Sequence, residues 1–224
     1  MAPPPPFKAI IIGGSISGLT LAHTFTRAKI DYILLEARDT ISPQLGASII
    51  IMPNGARILD QLGVYEEMRE KIVTGMRRTW TRRGDGGALV ASNEWPRVVE
   101  ERLHYECGIC ERRNFLRSLY EQLEDKSKIL LNRKVIAVEM LDEGVRVRCE
   151  DGSLFEGSIV VGADGIHSRV RKEMQRLAPR GLMDGDLKSK QVVLFSGFIL
   201  ALLGEGTLAA TGWRCTVALF EVAS

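Results

Sequence analysis

The stretch IIGGSISGL, residues 11–19, constrains this chain more than any other. It follows an apolar run at 9–12, short and closed by glycine, which fits a strand buried on both faces. A helix is predicted over 17–29, with Leu19, Ala22, Phe25 and Ala28 recurring as one apolar stripe. DYILLEAR then supplies a second buried strand at 32–35, ending in Glu36. Strand, helix and strand in so short a span make a βαβ unit, and its two strands must run parallel.

The glycines say what such a turn can hold. Gly13 and Gly18 occupy the outer positions of a G-x-G-x-x-G fingerprint, with Ser15 in the middle position and Gly14 beside it. Gly13 permits the tight turn, and Gly18 lets the helix approach the sheet. The helix start offers unpaired N–H groups and a positive dipole end to a pyrophosphate. Ser15 narrows the approach, but its hydroxyl can donate to phosphate. An ordinary tight βα turn would explain the glycines alone. It would not explain Glu36, a carboxylate placed at the end of the second strand to accept from a ribose diol. That carboxylate would repel the 2′-phosphate of NADP. The pattern favours an adenine dinucleotide.

The rest of the chain chooses between NAD and FAD. A nicotinamide-binding Rossmann domain continues with further βα units. Here LGASIIIMPNG follows, then a helix with Pro53 near its start, Ile58, Leu59 and Leu62 inward and Gly63 as its stop. A hairpin turned at 85–87 comes next, then an amphipathic helix in RRNFLRSLYEQLE with Phe115, Leu116, Leu119 and Leu123 on one side. Three alternating strands near 134–141, 145–149 and 153–156 form a meander. VVGADGIHSRVR then returns to the sheet and leaves it through Asp164-Gly165 into a helix at 166–176, which Asp164 would cap. A carboxylate at the C-terminal end of a central strand lies where ligands bind in such sheets, and could also orient Arg169 toward phosphate.

In this order, the chain resembles the class A FAD-dependent monooxygenases, the para-hydroxybenzoate hydroxylase-like group. Within it, the match is closest to fungal enzymes of the paxilline type, which epoxidise prenyl chains in indole-diterpene and meroterpenoid biosynthesis. The stretches that carry the resemblance are GGSISGLTLAH, LLEAR, PQLGASI, PNGARILDQLG, ERRNFLRSL and VVGADGIHSRVR, within residues 7–188. The resemblance implies an α/β fold: a Rossmann-like FAD-binding domain of G-x-G-x-x-G type with an antiparallel meander inserted. It implies that Gly13, Ser15 and Gly18 line the FAD pyrophosphate and that Glu36 binds the adenosine ribose. Ala47, within 46–48, would approach the flavin. Arg112 would reach the phosphates or ribityl chain, with Arg113 as the alternative one position on. Asp164 would belong to a D-G motif near the pyrophosphate that serves the use of NADPH. The implied activity is NADPH- and O₂-dependent hydroxylation or epoxidation of a small apolar terpenoid-like substrate. Ile50 departs from the pattern, standing where the family carries glycine close to the flavin.

The divisions expected are a proline-rich arm at 1–6, disordered; the FAD-binding domain at 7–188, its 77–97 hairpin on the substrate side; and an atypical apolar tail at 189–224. The family's second half, with the substrate sheet and a later G-D motif, is expected to be largely missing. A non-catalytic nucleotide-binding remnant is therefore the alternative to a monooxygenase, and no catalytic residue is assigned. A net charge of +2 argues against nucleic acid, and Arg77, Arg78, Arg82 and Arg83 read as a solvated hairpin. Cys107 and Cys110 have redox-type spacing but read as small buried thiols, and no metal set is present. MAPPPPF is no secretory signal. The run 192–203 is short for a bilayer span, so the chain reads as cytoplasmic, with membrane contact by the tail the disfavoured reading.

Overall fold

The computed structural model describes residues 6–44, 48–84, 86–177 and the backbone of 216–222. In chain order the elements begin with β1 (Lys8–Ile12), α1 (Ile16–Arg27), β2 (Asp31–Leu35), β3 (Ser48–Ile51), α2 (Pro53–Gln61) and α3 (Tyr65–Lys71). Next come β4 (Thr74–Arg83), β5 (Leu89–Asn93), α4 (Trp95–Leu103), β6 (Gly108–Glu111) and α5 (Arg112–Glu121). The chain continues through β7 (Ile129–Leu130), β8 (Val135–Met140), β9 (Val145–Cys149), β10 (Leu154–Gly157), β11 (Ile159–Gly162), α6 (Arg169–Leu177) and β12 (Thr216–Val222). The described residues fall into two compact units, 6–44 with 113–177, and 48–112 with 216–222.

The first unit is built on a parallel sheet of order β11-β1-β2-β7. Ile10 lies between Ile33 and Val160 in register, so β1 is covered on both edges. This explains why its run is continuously apolar: Ala9, Ile10 and Ile11 are fully buried. One face of the sheet is closed by the antiparallel β10-β9-β8 meander. Ile10, Ile12 and Leu35 share a cluster there with Val138, Val145, Val147 and Val170. Helix α1 packs against β1 and β2, burying Gly18, Leu19, Ala22 and His23. The meander turns follow their sequence chemistry, with Asp151 accepting from both the amide and the hydroxyl of Ser153.

The second unit is a mixed-connection antiparallel sheet. β3 pairs with β6, β6 with the start of β4, and β4 carries β5 on the same edge and β12 on the other. The hairpin arginines are matched from α4: Arg77 pairs with Glu100 at 2.9 Å and Arg78 with Glu94. Arg82 donates to the Gly87 carbonyl. Cys107 and Cys110 are buried free thiols in this unit. Burial pushes the Cys110 thiol up to about 12, which leaves it without thiolate character at neutral pH.

Several sequence expectations are corrected. Ile58 is 51% exposed, and the inward stripe of α2 is Pro53, Ala56 and Leu59. The i, i+3 spacing from the N-terminal proline, rather than from the longest aliphatic side chains, sets that stripe. Ala28 is exposed because α1 has already ended at Arg27. β11 is an edge strand among the described residues, with Ile159 exposed, in place of the expected central strand. The final helix begins at Arg169 rather than at 166. The apolar run 192–203 lies outside the described residues, while 216–222 forms a strand on β4. No helix of the described residues is long and apolar enough to cross a membrane.

Candidate nucleotide site

The turn between β1 and α1 is closed from both sides. The Gly13 amide donates to the Leu35 carbonyl at 2.9 Å, and the Ala163 amide donates to the Ile12 carbonyl at 2.7 Å. Gly13 adopts φ +106°, and a Cβ there would sit 2.5 Å from the Ala163 carbonyl oxygen. A side chain is excluded on both counts. A Cβ on Gly18 would overlap the Gly13 carbonyl oxygen. The first turn of α1 can therefore lie against the loop only because residue 18 is glycine. Ser15 is the N-cap residue, with extended backbone, and its side chain makes no capping bond to the helix. The first helical bond runs from the Leu19 amide to the Ser15 carbonyl. The amides of Ile16, Ser17 and Gly18 precede it and face outward along the helix axis, with no acidic residue in that turn.

Glu36 closes the wall opposite. It is buried, with 7% exposure, at the end of β2. One carboxylate oxygen accepts from the Gly14 amide at 2.6 Å and the other from the Arg38 amide at 2.9 Å. Each oxygen keeps acceptor capacity, enough for the two hydroxyls of a ribose diol. The Gly14 amide is thereby committed to Glu36, a partnership that the fingerprint did not announce.

The structure brings Gly13, Ser15, Gly18, Glu36 and Asp164 into one unit. Asp164 follows β11, and its Cα lies 3.0 Å from where a Gly13 Cβ would be. Its carboxylate takes the Ser168 hydroxyl at 2.6 Å and the amides of Arg169 and Val170 at 2.6 and 3.2 Å. It meets Arg169 through the backbone; the Arg169 guanidinium pairs with Glu173 instead. Arg112 is the first residue of α5 and falls in the second unit, and Arg113 falls in the first. The Nε of Arg113 is buried with no hydrogen-bond partner among the described residues. Ala47 lies outside the described residues, and Ser48 opens β3. Ile50, on β3 opposite Ile109, is 39% exposed. His167 is exposed. Among the described residues, no group of three or more His, Cys, Asp or Glu side chains is placed to hold a metal.

Two residues near the cradle had no motif to mark them. Ser168 is the N-cap of α6, signalled only by a serine ahead of a helical run. His23 is buried in α1, and its Nε2 donates to the Leu119 carbonyl at 2.8 Å, tying α1 to α5. Burial lowers its pKa from 6.5, against the Leu119 bond and the Glu124 charge, which raise it. The folded chain therefore prefers the neutral ring, and the unfolded chain takes up the proton first. Stability is intact above about pH 6.5 and declines as pH falls below it. Thermal melting between pH 7.5 and 5 is expected to show this decline in the wild type. In His23→Gln, whose amide can still donate to Leu119, it should be absent.

The cradle fits a dinucleotide: open helical amides for a pyrophosphate, a buried carboxylate for a ribose, and no room for a Cβ at 13 or 18. Comparisons with known proteins agree. A family model described as FAD binding domain matches residues 7–186. The FAD-dependent monooxygenase prhF of Penicillium brasilianum is 51% identical over 171 residues, which are 76% of this chain and 35% of the relative. The FAD-dependent monooxygenase ausM of the same fungus is 50% identical over the same shares. The crystal structure of Klebsiella pneumoniae HpxO complexed with FAD and uric acid superposes with a TM-score of 0.64. It shares 26% identity over 74% of this chain and 41% of that one. The chain thus spans about a third of the length of the two fungal relatives. It belongs to the FAD binding domain family, with the fold of the class A flavoprotein monooxygenases and FAD as the cofactor.

Proposed function

We propose that this chain is the nucleotide-holding part of an FAD-dependent monooxygenase of fungal secondary metabolism, acting with NADPH and O₂ on a small apolar terpenoid-like substrate. The observation that carries the reading is the β1–α1 cradle with Glu36 across it, in a chain half identical to two fungal monooxygenases over this stretch. Gly13, Ser15 and Gly18 line the pyrophosphate, the first-turn amides of α1 receive its charge, and Glu36 accepts from the adenosine ribose. Arg112 supports the phosphates or ribityl chain, and Ala47 belongs to the segment beside the flavin ring. FAD, when bound, supplies the redox chemistry that passes electrons from NADPH to O₂. The part of these residues is to hold the cofactor and fix its orientation.

The test is the visible spectrum of the purified chain titrated with FAD. A bound-flavin spectrum is expected. Glu36→Ala should weaken binding by about tenfold or more, because it removes the ribose acceptor and also leaves two amides without their partner. Flavin uptake with no NADPH consumption would favour the non-catalytic remnant. A soluble, folded chain that takes up no flavin would overturn the proposal.

A further inference from the structure

Strand β4 carries four arginines, Arg77, Arg78, Arg82 and Arg83, and no acidic residue. One of its edges is taken by β6 at Thr74 and Gly75 and by β5 from Thr79 to Arg82. The other is covered by β12, antiparallel and in unbroken register from Thr216 opposite Arg83 to Glu221 opposite Arg78. A bulge then passes over Arg77, and Val222 falls opposite Met76. Without β12 this edge would offer its N–H and C=O groups from Met76 to Arg83 to any strand that could pair with them. The family match ends at residue 186, so the segment that covers the edge lies outside the matched domain.

Sequence and charge say which strand suits this edge. TVALFEV, residues 216–222, is rich in β-branched and aromatic residues and has no glycine or proline. Its one charged residue, Glu221, stands at the register position opposite Arg78. A second copy of β4 is a poor occupant. Antiparallel self-pairing centred on Trp80 would set Arg77 opposite Arg83 and Arg78 opposite Arg82 at both ends of the ladder, and like charges directly opposite are destabilising. Glu100 and Glu94 offset Arg77 and Arg78. Arg82 donates to the Gly87 carbonyl, a partner that leaves its charge in place. We infer that this edge of β4 is a strand-docking surface selective by charge: it takes an extended segment with an acid and no base, rejects basic strands including its own copy, and receives 216–222 as the occupant that the chain itself supplies. The docked strand closes the sheet edge and keeps the chain monomeric.

Amide hydrogen exchange along β4 in the full chain tests this, and needs no cofactor. Adjacent residues of an edge strand alternate between facing the partner and facing away, so Ala218→Pro with Leu219→Pro must remove one amide that bonds β4. In that double variant the β4 amides facing β12 should exchange about tenfold faster or more, while those bonded to β5 keep their protection. Glu221→Lys leaves the backbone intact and should speed exchange at the same amides by about threefold to tenfold, with Glu221→Gln within about twofold of wild type. A synthetic peptide of residues 214–224, added to the double-proline chain, should restore the protection. The same peptide carrying Glu221→Lys should need about threefold to tenfold more to do so. By size-exclusion chromatography with light scattering, the double-proline chain should stay monomeric, because its exposed edge repels its own copy. Unchanged β4 exchange in the double-proline chain overturns the docking of 216–222. Equal rescue by the two peptides, or self-association of the double-proline chain, overturns the selection by charge.

Discussion

A Gly18→Ala chain is expected to lose flavin binding by on the order of a hundredfold, the scale on which displacing a binding group by 1 Å is felt. The added methyl would overlap the Gly13 carbonyl oxygen, a backbone atom that no rotamer change can remove. The start of α1 must retreat by more than about 1 Å to reach van der Waals contact. That takes the amides of Ile16, Ser17 and Gly18 away from the pyrophosphate. It also strains the packing of Leu19 and Ala22, so stability should fall by about 1–3 kcal/mol, as for other overpacked sites. FAD fluorescence titration and thermal melting measure the two losses. Gly55→Ala is the control. Gly55 lies in α2, and a Cβ there meets only Ile51 at 4.0 Å. The same substitution should stabilise by up to about 1 kcal/mol through helix propensity. Equal effects at 18 and 55 would mean that the close approach seen at Gly18 is unimportant.

Glu173→Ala is expected to be the most damaging change away from the cradle. Glu173 is 5% exposed on α6. Its carboxylate takes Arg176 at 2.8 Å, Arg169 at 3.1 Å and the Val138 amide at 3.4 Å. Arg176 also donates to the Val138 carbonyl at 3.0 Å. The ion pair therefore supplies both partners to Val138 on β8, the outer strand of the meander, where a neighbouring strand would otherwise be needed. Burial alone would raise the Glu173 pKa, but the Arg176 and Val138 bonds and the two positive charges hold it below 4.5. Both arginines are about half exposed and return to water when Glu173 is removed. The loss is then about 2–3 kcal/mol, below the full cost of orphaning a buried charge. The melting midpoint should drop by roughly 4–12 °C. In the wild type this contribution is present above pH 4.5 and lost as pH falls below it, well separated from the His23 window. A Glu173→Ala chain that melts with the wild type would show that α6 is held by Val170 and Ser168 alone.

Much of the first unit is legible in residue order alone. The βαβ reading, the parallel pairing of β1 with β2, the return of the 159–162 strand to the sheet, the meander and the apolar side of α5 follow from run length, period and turn residues. These are local signals, and they are reliable where one strand or helix buries one continuous face. The differences arise where side-chain size is a poor guide to burial. Ile58 is long but faces outward, Ala56 is small but faces inward, and His23 and Glu173 are polar but buried. Nothing in the composition of a helix face says that the opposite surface offers a carbonyl or a bare strand edge to satisfy them.

What the sequence determined by itself is the kind of cradle: a glycine turn after a buried strand, a helix start without an acid, and a carboxylate ending the next strand. Those residues act through backbone geometry and spacing along the chain, which residue order specifies directly. What only the tertiary structure decided is how the acceptors are shared. Glu36 spends part of its carboxylate on Gly14, while Asp164 spends most of its own on Ser168 and the start of α6. Two aspartates or glutamates at strand ends look alike in sequence. They differ once folded because one keeps acceptor capacity to give, and the other faces the amides of a helix that must be satisfied first.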